Sequence, residues 1–170
     1  MANEKGRFER DILFKEDEFV FSYRVGGILV HNHKILLQRP KGDDYAIIGG
    51  HIQCMETAAE TLKREYKEEL NAEIEIDHLM AVGEIFFPWG NRPCHQIALY
   101  YKVHLGDTSS IPLCGTFGGY DDLGNERIDL DFCWVPIEEL EKGLVVYPIE
   151  LIPHILEDTK EIRHFISKQL

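Results

Sequence analysis

Residues 50–72 read GHIQCMETAAETLKREYKEELNA. A glycine, Gly50, is followed six residues on by Glu56, and then by Arg64-Glu65-x-x-Glu68-Glu69. Glu65, Glu68 and Glu69 stand at i, i+3 and i+4, so on a helix all three carboxylates share one side. Like charges this close repel unless a cation sits among them. The spacing therefore points to a hard divalent ion such as Mg2+ and, with it, to phosphate chemistry.

The boundaries of that helix are written locally. Thr57 and Glu60 have the N-cap and N3 spacing of a capping box. Good helix formers then run to Leu70, and Asn71 suits the left-handed residue after a helix end. At about 100° per residue, Ala59, Leu62, Tyr66 and Leu70 form one apolar stripe. The glutamates occupy the adjoining arc, and Lys63, Arg64 and Lys67 are expected opposite them.

Outward from this segment, residues 19–30 (FVFSYRVGGILV) are rich in β-formers and predict a strand, bent at Gly26-Gly27. His31-Asn32-His33 reads as a turn into a second strand, residues 34–38, forming a hairpin. Residues 40–44 are loop chemistry, and the short apolar run 45–48 is expected to stop at Gly49-Gly50. Residues 73–87 and 95–104 predict strands joined by a loop over 88–93. Residues 106–124 have little periodicity and read mostly as loop. Residues 127–135 alternate as a strand. Pro136 is expected at the first position of a short helix over 137–142. From Pro148 onward, helical spacing runs through Ile152, Ile155 and Leu156 and on to Ile162, Phe165 and Ile166. Strands mixed with few helices predict an α/β or α+β domain, with residues 1–170 as a single unit.

Composition narrows the function. The net charge is −12 with no run of Lys and Arg, which argues against a polynucleotide footprint but not against a small phosphate ligand held by a metal. No apolar stretch approaches the ~20 residues of a membrane span. The polar start, MANEKGRFERD, carries no signal-peptide pattern. Cys54, Cys94, Cys114 and Cys133 form no CxxC pair, so zinc spacing is lacking and a reducing, cytoplasmic compartment is expected.

The quoted segment resembles the Nudix hydrolase signature, G-x5-E-x7-R-E-U-x-E-E-x-G-U, where U is a bulky aliphatic residue. Gly50, Glu56, Arg64, Glu65, Glu68 and Glu69 match in register. Tyr66 stands at the first U, Asn71 replaces the glycine and Ala72 stands at the last U. The proline common before the paired glycines is Ile48 here. None of these departures removes a carboxylate, and the flanking strands and the Trp134-Val135-Pro136…Glu139-Leu140 ending are also similar to the family.

The resemblance implies an α/β/α sandwich around a mixed β-sheet and hydrolysis of the pyrophosphate linkage in a small nucleotide or nucleoside diphosphate derivative. It implies that Glu65, Glu68 and Glu69, with a backbone carbonyl near Gly49 or Gly50, ligate Mg2+ or Mn2+, and that Arg64 and Glu56 brace the loop against the helix. Glu65 is either the general base or a ligand. Glu126, Asp129 and Asp131 are open candidates for an additional acidic group. Family habit also implies a homodimer.

Outside the signature, Trp89 is a candidate for base stacking or a surface cap. Arg39 is a candidate phosphate holder or a surface ion pair, and His51 lines the glycine loop. Rival readings are an RNA 5′-end pyrophosphohydrolase, which the acidity disfavours, and an inactive nucleotide-binding sensor, in which signature glutamates are usually lost. An isomerase on the same fold would require a catalytic cysteine and glutamate that the sequence does not indicate.

Overall fold

The computed structural model describes residues 10–40, 43–122 and 127–170. Strand β1 (Leu13–Lys15) pairs antiparallel with β2 (Val20–His31). The chain then turns at Asn32-His33 into β3 (Lys34–Pro40). Both turn residues have positive φ, 48° and 58°, which suits a tight hairpin whose twist matches its strands.

The apolar run after this hairpin divides into β4 (Tyr45–Ala46) and β5 (Ile48–His51). Gly49 and Gly50 do not stop a strand; they lie inside β5, opposite Gly26 and Val25 of β2. The reason is close approach. A Cβ on Gly49 would stand 2.0 Å from the Val25 carbonyl oxygen, and one on Gly50 would stand 2.2 Å from Glu65 Cδ.

Helix α1 (Ala58–Leu70) begins with a complete Thr57/Glu60 capping box and ends at Asn71 with φ 52°. Its buried residues are Ala58, Thr61, Leu62, Tyr66 and Leu70. Ala58 thus takes the inner place expected for Ala59, because the stripe also takes in Thr61, whose hydroxyl donates to Glu56 at 2.8 Å. Tyr66 is fully buried and its hydroxyl donates to the Gly27 carbonyl at 3.1 Å. The aromatic ring in place of an aliphatic side chain is accommodated because Gly27 has no Cβ, which would lie 2.9 Å from Tyr66 Cε2.

Strands β6 (Ile74–Trp89) and β7 (Arg92–Leu105) form one long hairpin. The loop expected over 88–93 is reduced to a turn at Gly90-Asn91. Pro88 and Pro93 face each other within the ladder, which is tolerated because both lie beyond the ends of the pairings that flank the hairpin, at Phe86 and Cys94.

The region expected to be mostly loop contains β8 (Thr116–Asp122), antiparallel to β9 (Arg127–Pro136). Its periodicity is masked by Gly118-Gly119, and Phe117 ties it down by stacking on Phe132 at 5.7 Å. Pro136 caps α2 (Ile137–Glu141) from outside rather than opening it. The tail forms β10 (Val146–Tyr147), a 3-10 turn over Ile149–Leu151, α3 (Ile152–Glu157) and β11 (Arg163–Lys168). Ile162, Phe165 and Ile166 therefore do not continue a helix. Asp158, with φ 45°, ends α3, and β11 alternates, with Phe165 and Ser167 buried and Ile166 exposed.

The sheet order is β10-β4-β3-β2-β7-β6-β11, with β1 and β5 also on β2, β9 on β3 and β8 on β9. The β2–β7, β6–β11 and β4–β10 pairs are parallel, so the sheet is mixed. Alternation along β2 and β3 sends Leu29 and Leu36 to the core beneath α1, and Ile28, Ile35 and Leu37 to a second core with Leu140 of α2 and Ile155 of α3. The result is an α/β/α sandwich, and α1 holds its acidic arc against β5.

Candidate functional site

Close contact between β5 and α1 builds the site. Glu56, in the loop before the helix, accepts from Arg64 Nε at 3.1 Å and Nη2 at 3.1 Å. Arg64 Nη1 donates to Glu65 Oε1 at 2.8 Å and to Glu68 Oε2 at 3.2 Å, and Nη2 reaches the His51 carbonyl at 3.4 Å. Arg64 is therefore not opposite the glutamates. Its long side chain returns to the acidic arc and neutralises it, while the loop, β5 and α1 meet on one guanidinium.

Burial separates the carboxylates electrically. The Glu65 side chain is only 13% exposed and presses on Gly50, whereas that of Glu68 is 59% exposed. Burial raises the Glu65 carboxyl above the ordinary range, against the pull of Arg64. At Glu56 burial acts upward too, but hydrogen bonds from Arg64 and Thr61 outweigh it and hold that carboxyl below the usual value. Glu69 is half-buried on the helix. Burial first, and then the Glu69 charge, keep the Tyr66 hydroxyl protonated.

Among the described residues, no three His, Cys, Asp or Glu side chains form a ready-made metal cluster. Glu65 and Glu68 nevertheless converge on one cationic nitrogen, Arg64 Nη1. This all-oxygen donor pair fits a hard cation, and Arg64 would retain its bonds to Glu56 if Nη1 were displaced.

These residues line a cleft of about 540 Å³ that also includes Asp11, Lys15, Arg24, His51 and Trp89. His51 and Trp89 have ring centroids 6.4 Å apart, and Lys15 Nζ lies 5.6 Å from the Trp89 ring centre. Burial, followed by the charges of Arg24 and Lys15, pushes His51 down to about 4, so the imidazole is neutral at pH 7. Its 4.0 Å approach to Asp11 is then not an ion pair at that pH.

A second cavity of about 220 Å³ adjoins the first, and Arg24 and Gly49 line both. Ile47, Phe87, Tyr100 and Tyr147 make it mainly apolar, and Gln38 and Gln96 give it polar edges. Gln96 is buried and accepts from Ser22 Oγ at 3.2 Å.

The structure brings Gly50, His51, Arg64, Glu65, Glu68 and Trp89 together around the cleft. Glu56 braces it from behind. Arg39 is elsewhere, with its guanidinium 5.4 Å from the Tyr45 ring centre, and it lines neither cavity. Asp131 faces Arg39 across the β3–β9 ladder and Asp129 lies farther along β9; neither lines the cleft. Glu126 is outside the described residues. Sequence reasoning missed Asp11, Lys15 and Arg24. Arg24 had a signal, a lone cation in an otherwise apolar strand between Tyr23 and Val25. Lys15 had none, since its place depends on β1 pairing with β2.

A NUDIX domain model matches residues 20–155. Among curated proteins, none matches the chain at a significant level. Solved structures share the fold. A MutT protein from Bacillus halodurans has 19% identity and a TM-score of 0.59, covering 86% of this chain and 90% of its own. A NUDIX hydrolase from Nitrosomonas europaea has 17% identity and a TM-score of 0.58, with 92% and 82% covered. An ADP-ribose pyrophosphatase from Streptococcus suis has 15% identity and a TM-score of 0.54, with 84% and 98% covered. Gly50, Arg64, Glu65 and Glu68 of the signature line the cleft, Glu56 reaches it through Arg64, and Glu69 lies outside its lining; with the family model spanning most of the sandwich, the chain belongs to the NUDIX family.

Proposed function

We propose that the protein is a Mg2+- or Mn2+-dependent pyrophosphohydrolase acting on a small nucleotide or nucleoside diphosphate derivative. The observation that carries this reading is the convergence of Glu65 and Glu68 beside Gly50, in a polar cleft that opens onto a mainly apolar cavity. The pairing of a charged site with an aromatic-lined one suits a ligand with a polyphosphate at one end and a nucleoside at the other.

Glu65, Glu68 and Glu69, with the Gly50 carbonyl, are the residues we assign to hold the cation. When bound, such an ion neutralises phosphate oxygens and lowers the pKa of water. Glu65 has an alternative to the ligand role: as a base it would take a proton from attacking water, and burial raises its carboxyl in the ion-free chain. Arg64 keeps its Nε and Nη2 bonds to Glu56 and so braces the loop before α1 against the helix that carries the carboxylates. His51, neutral at pH 7, offers a hydrogen bond to a phosphate oxygen without a competing charge. Trp89 supplies an apolar wall to the same cleft. The four free thiols support a cytoplasmic location. No helix among the described residues is long and apolar enough to cross a membrane.

The test is a phosphate-release screen over dNTPs, ADP-ribose, NADH, dinucleoside polyphosphates and capped RNA, with Mg2+ or Mn2+. Turnover of a small nucleotide is expected. Turnover of capped RNA alone would favour the RNA-end reading, and no turnover of any compound would favour a binding or sensor role.

A further inference from the structure

We infer that Arg24 grips a phosphoryl group at the junction of the two cavities, so that one ligand spans both. Arg24 lies on β2, opposite His51 of β5. It lines the charged cleft and the mainly apolar cavity alike. Its Nη2 donates to the Gly49 carbonyl at 3.1 Å. No carboxylate forms an ion pair with it among the described residues. A guanidinium has five N–H donors, and among the described residues none of those on Arg24 is hydrogen-bonded to a carboxylate.

A partly desolvated guanidinium with donors left over is well placed to take an anion in a charge-assisted hydrogen bond. The local chemistry supports that use. Arg24 and Glu65 line the same cleft, and His51 stands opposite Arg24 across the β2–β5 pairing. The cation therefore stands between the acidic arc and the apolar cavity. A phosphate there would meet a planar fork of donors on one side, while the group attached to it entered the cavity beside Tyr100 and Phe87. Arg24 is then a positioning residue that fixes which phosphorus reaches Glu65. The inference rests on the pyrophosphohydrolase reading for its context, but its test does not need turnover.

The test is equilibrium binding, without divalent ion, of inorganic pyrophosphate and of AMP, GMP, CMP and UMP, each nucleotide compared with its own nucleoside. Wild type is expected to prefer at least one monophosphate over its nucleoside by roughly ten-fold or more. Arg24→Met keeps the aliphatic stem and is expected to abolish that preference while leaving nucleoside affinity unchanged. Arg24→Lys should restore part of it. A general structural defect would weaken nucleoside and nucleotide together. An unaltered preference in Arg24→Met, or no preference and no pyrophosphate binding by wild type, would overturn the inference. Hydrolysis without an Arg24-dependent phosphate preference would count against Arg24 alone, and phosphate binding without hydrolysis would count against the enzymatic reading alone.

Discussion

Replacing either of the paired glycines with alanine should separate folding from chemistry. At Gly49 the new Cβ would lie 2.0 Å from the Val25 carbonyl oxygen and 2.7 Å from Gly26 Cα. Both are backbone atoms of a central strand and cannot rotate away, so Gly49→Ala is expected to cost ~3 kcal/mol or more as β5 is pushed off β2. At Gly50 the Cβ would lie 2.2 Å from Glu65 Cδ and 2.3 Å from Oε1. That is the end of a flexible side chain, and the carboxylate can move by about 1 Å or more to relieve the overlap. Moving it breaks the 2.8 Å bond from Arg64 Nη1, a charge-assisted contact worth about 1.5–3 kcal/mol. The loss is partly offset by ~0.5–1 kcal/mol from replacing glycine in a strand. Gly50→Ala should therefore lose only about 0.5–2.5 kcal/mol, roughly 1–10 °C in Tm for a chain of this size. Its kcat should fall by about a hundred-fold, the cost of a base misplaced by ~1 Å. Chemical denaturation and steady-state rates on the same preparations measure both effects. Gly50→Ala retaining kcat within a factor of two, or Gly49→Ala proving as stable as wild type, would refute the reasoning.

Three further outcomes are expected. Tyr66→Phe removes the hydroxyl that donates to the Gly27 carbonyl at 3.1 Å and should destabilise by about 1 kcal/mol with the fold unchanged, measured by urea unfolding. Thr57→Ala removes the oxygen that accepts from the Glu60 amide at 3.2 Å and should also cost about 1 kcal/mol, with helix α1 fraying first in hydrogen exchange. The Glu56 carboxyl is held below its ordinary value in the folded chain. Its contribution is thus present above the unfolded-state pKa and is lost as pH falls through the folded one. Acid should weaken wild type more steeply than Glu56→Gln in a denaturation series run from neutral pH into the carboxylate range; equal slopes would show that Glu56 carries no such linkage.

The segment 50–72 was the most legible part of the chain because its signals are local. The capping box, the left-handed Asn71 and the spacing of the carboxylates all depend on residues within two helical turns. Elements that depend on distant partners were harder to read. The strand over 116–122 is hidden by Gly118-Gly119 and is recognisable only once Phe117 stacks on Phe132. The spacing of Ile162, Phe165 and Ile166 suits a helix as well as a strand until β6 supplies an edge for pairing. The side of the helix occupied by Arg64 was misjudged because angular position describes Cβ, whereas a long guanidinium stem can return toward the carboxylates. The cationic wall of the cleft, Lys15 and Arg24, depends on β1, β2 and β5 lying side by side, and no motif encodes that.

Mn2+ binding to the substrate-free protein most directly tests the claim that the acidic arc is a metal centre. Isothermal titration or electron paramagnetic resonance would compare wild type with Glu65→Gln and Glu68→Gln, with circular dichroism verifying that each variant is folded. At least one Mn2+ site is expected in wild type, with affinity reduced about ten-fold or more in both variants as a charged oxygen donor is lost. Undiminished Mn2+ affinity in folded Glu65→Gln and Glu68→Gln, or no Mn2+ binding by wild type, would contradict the account.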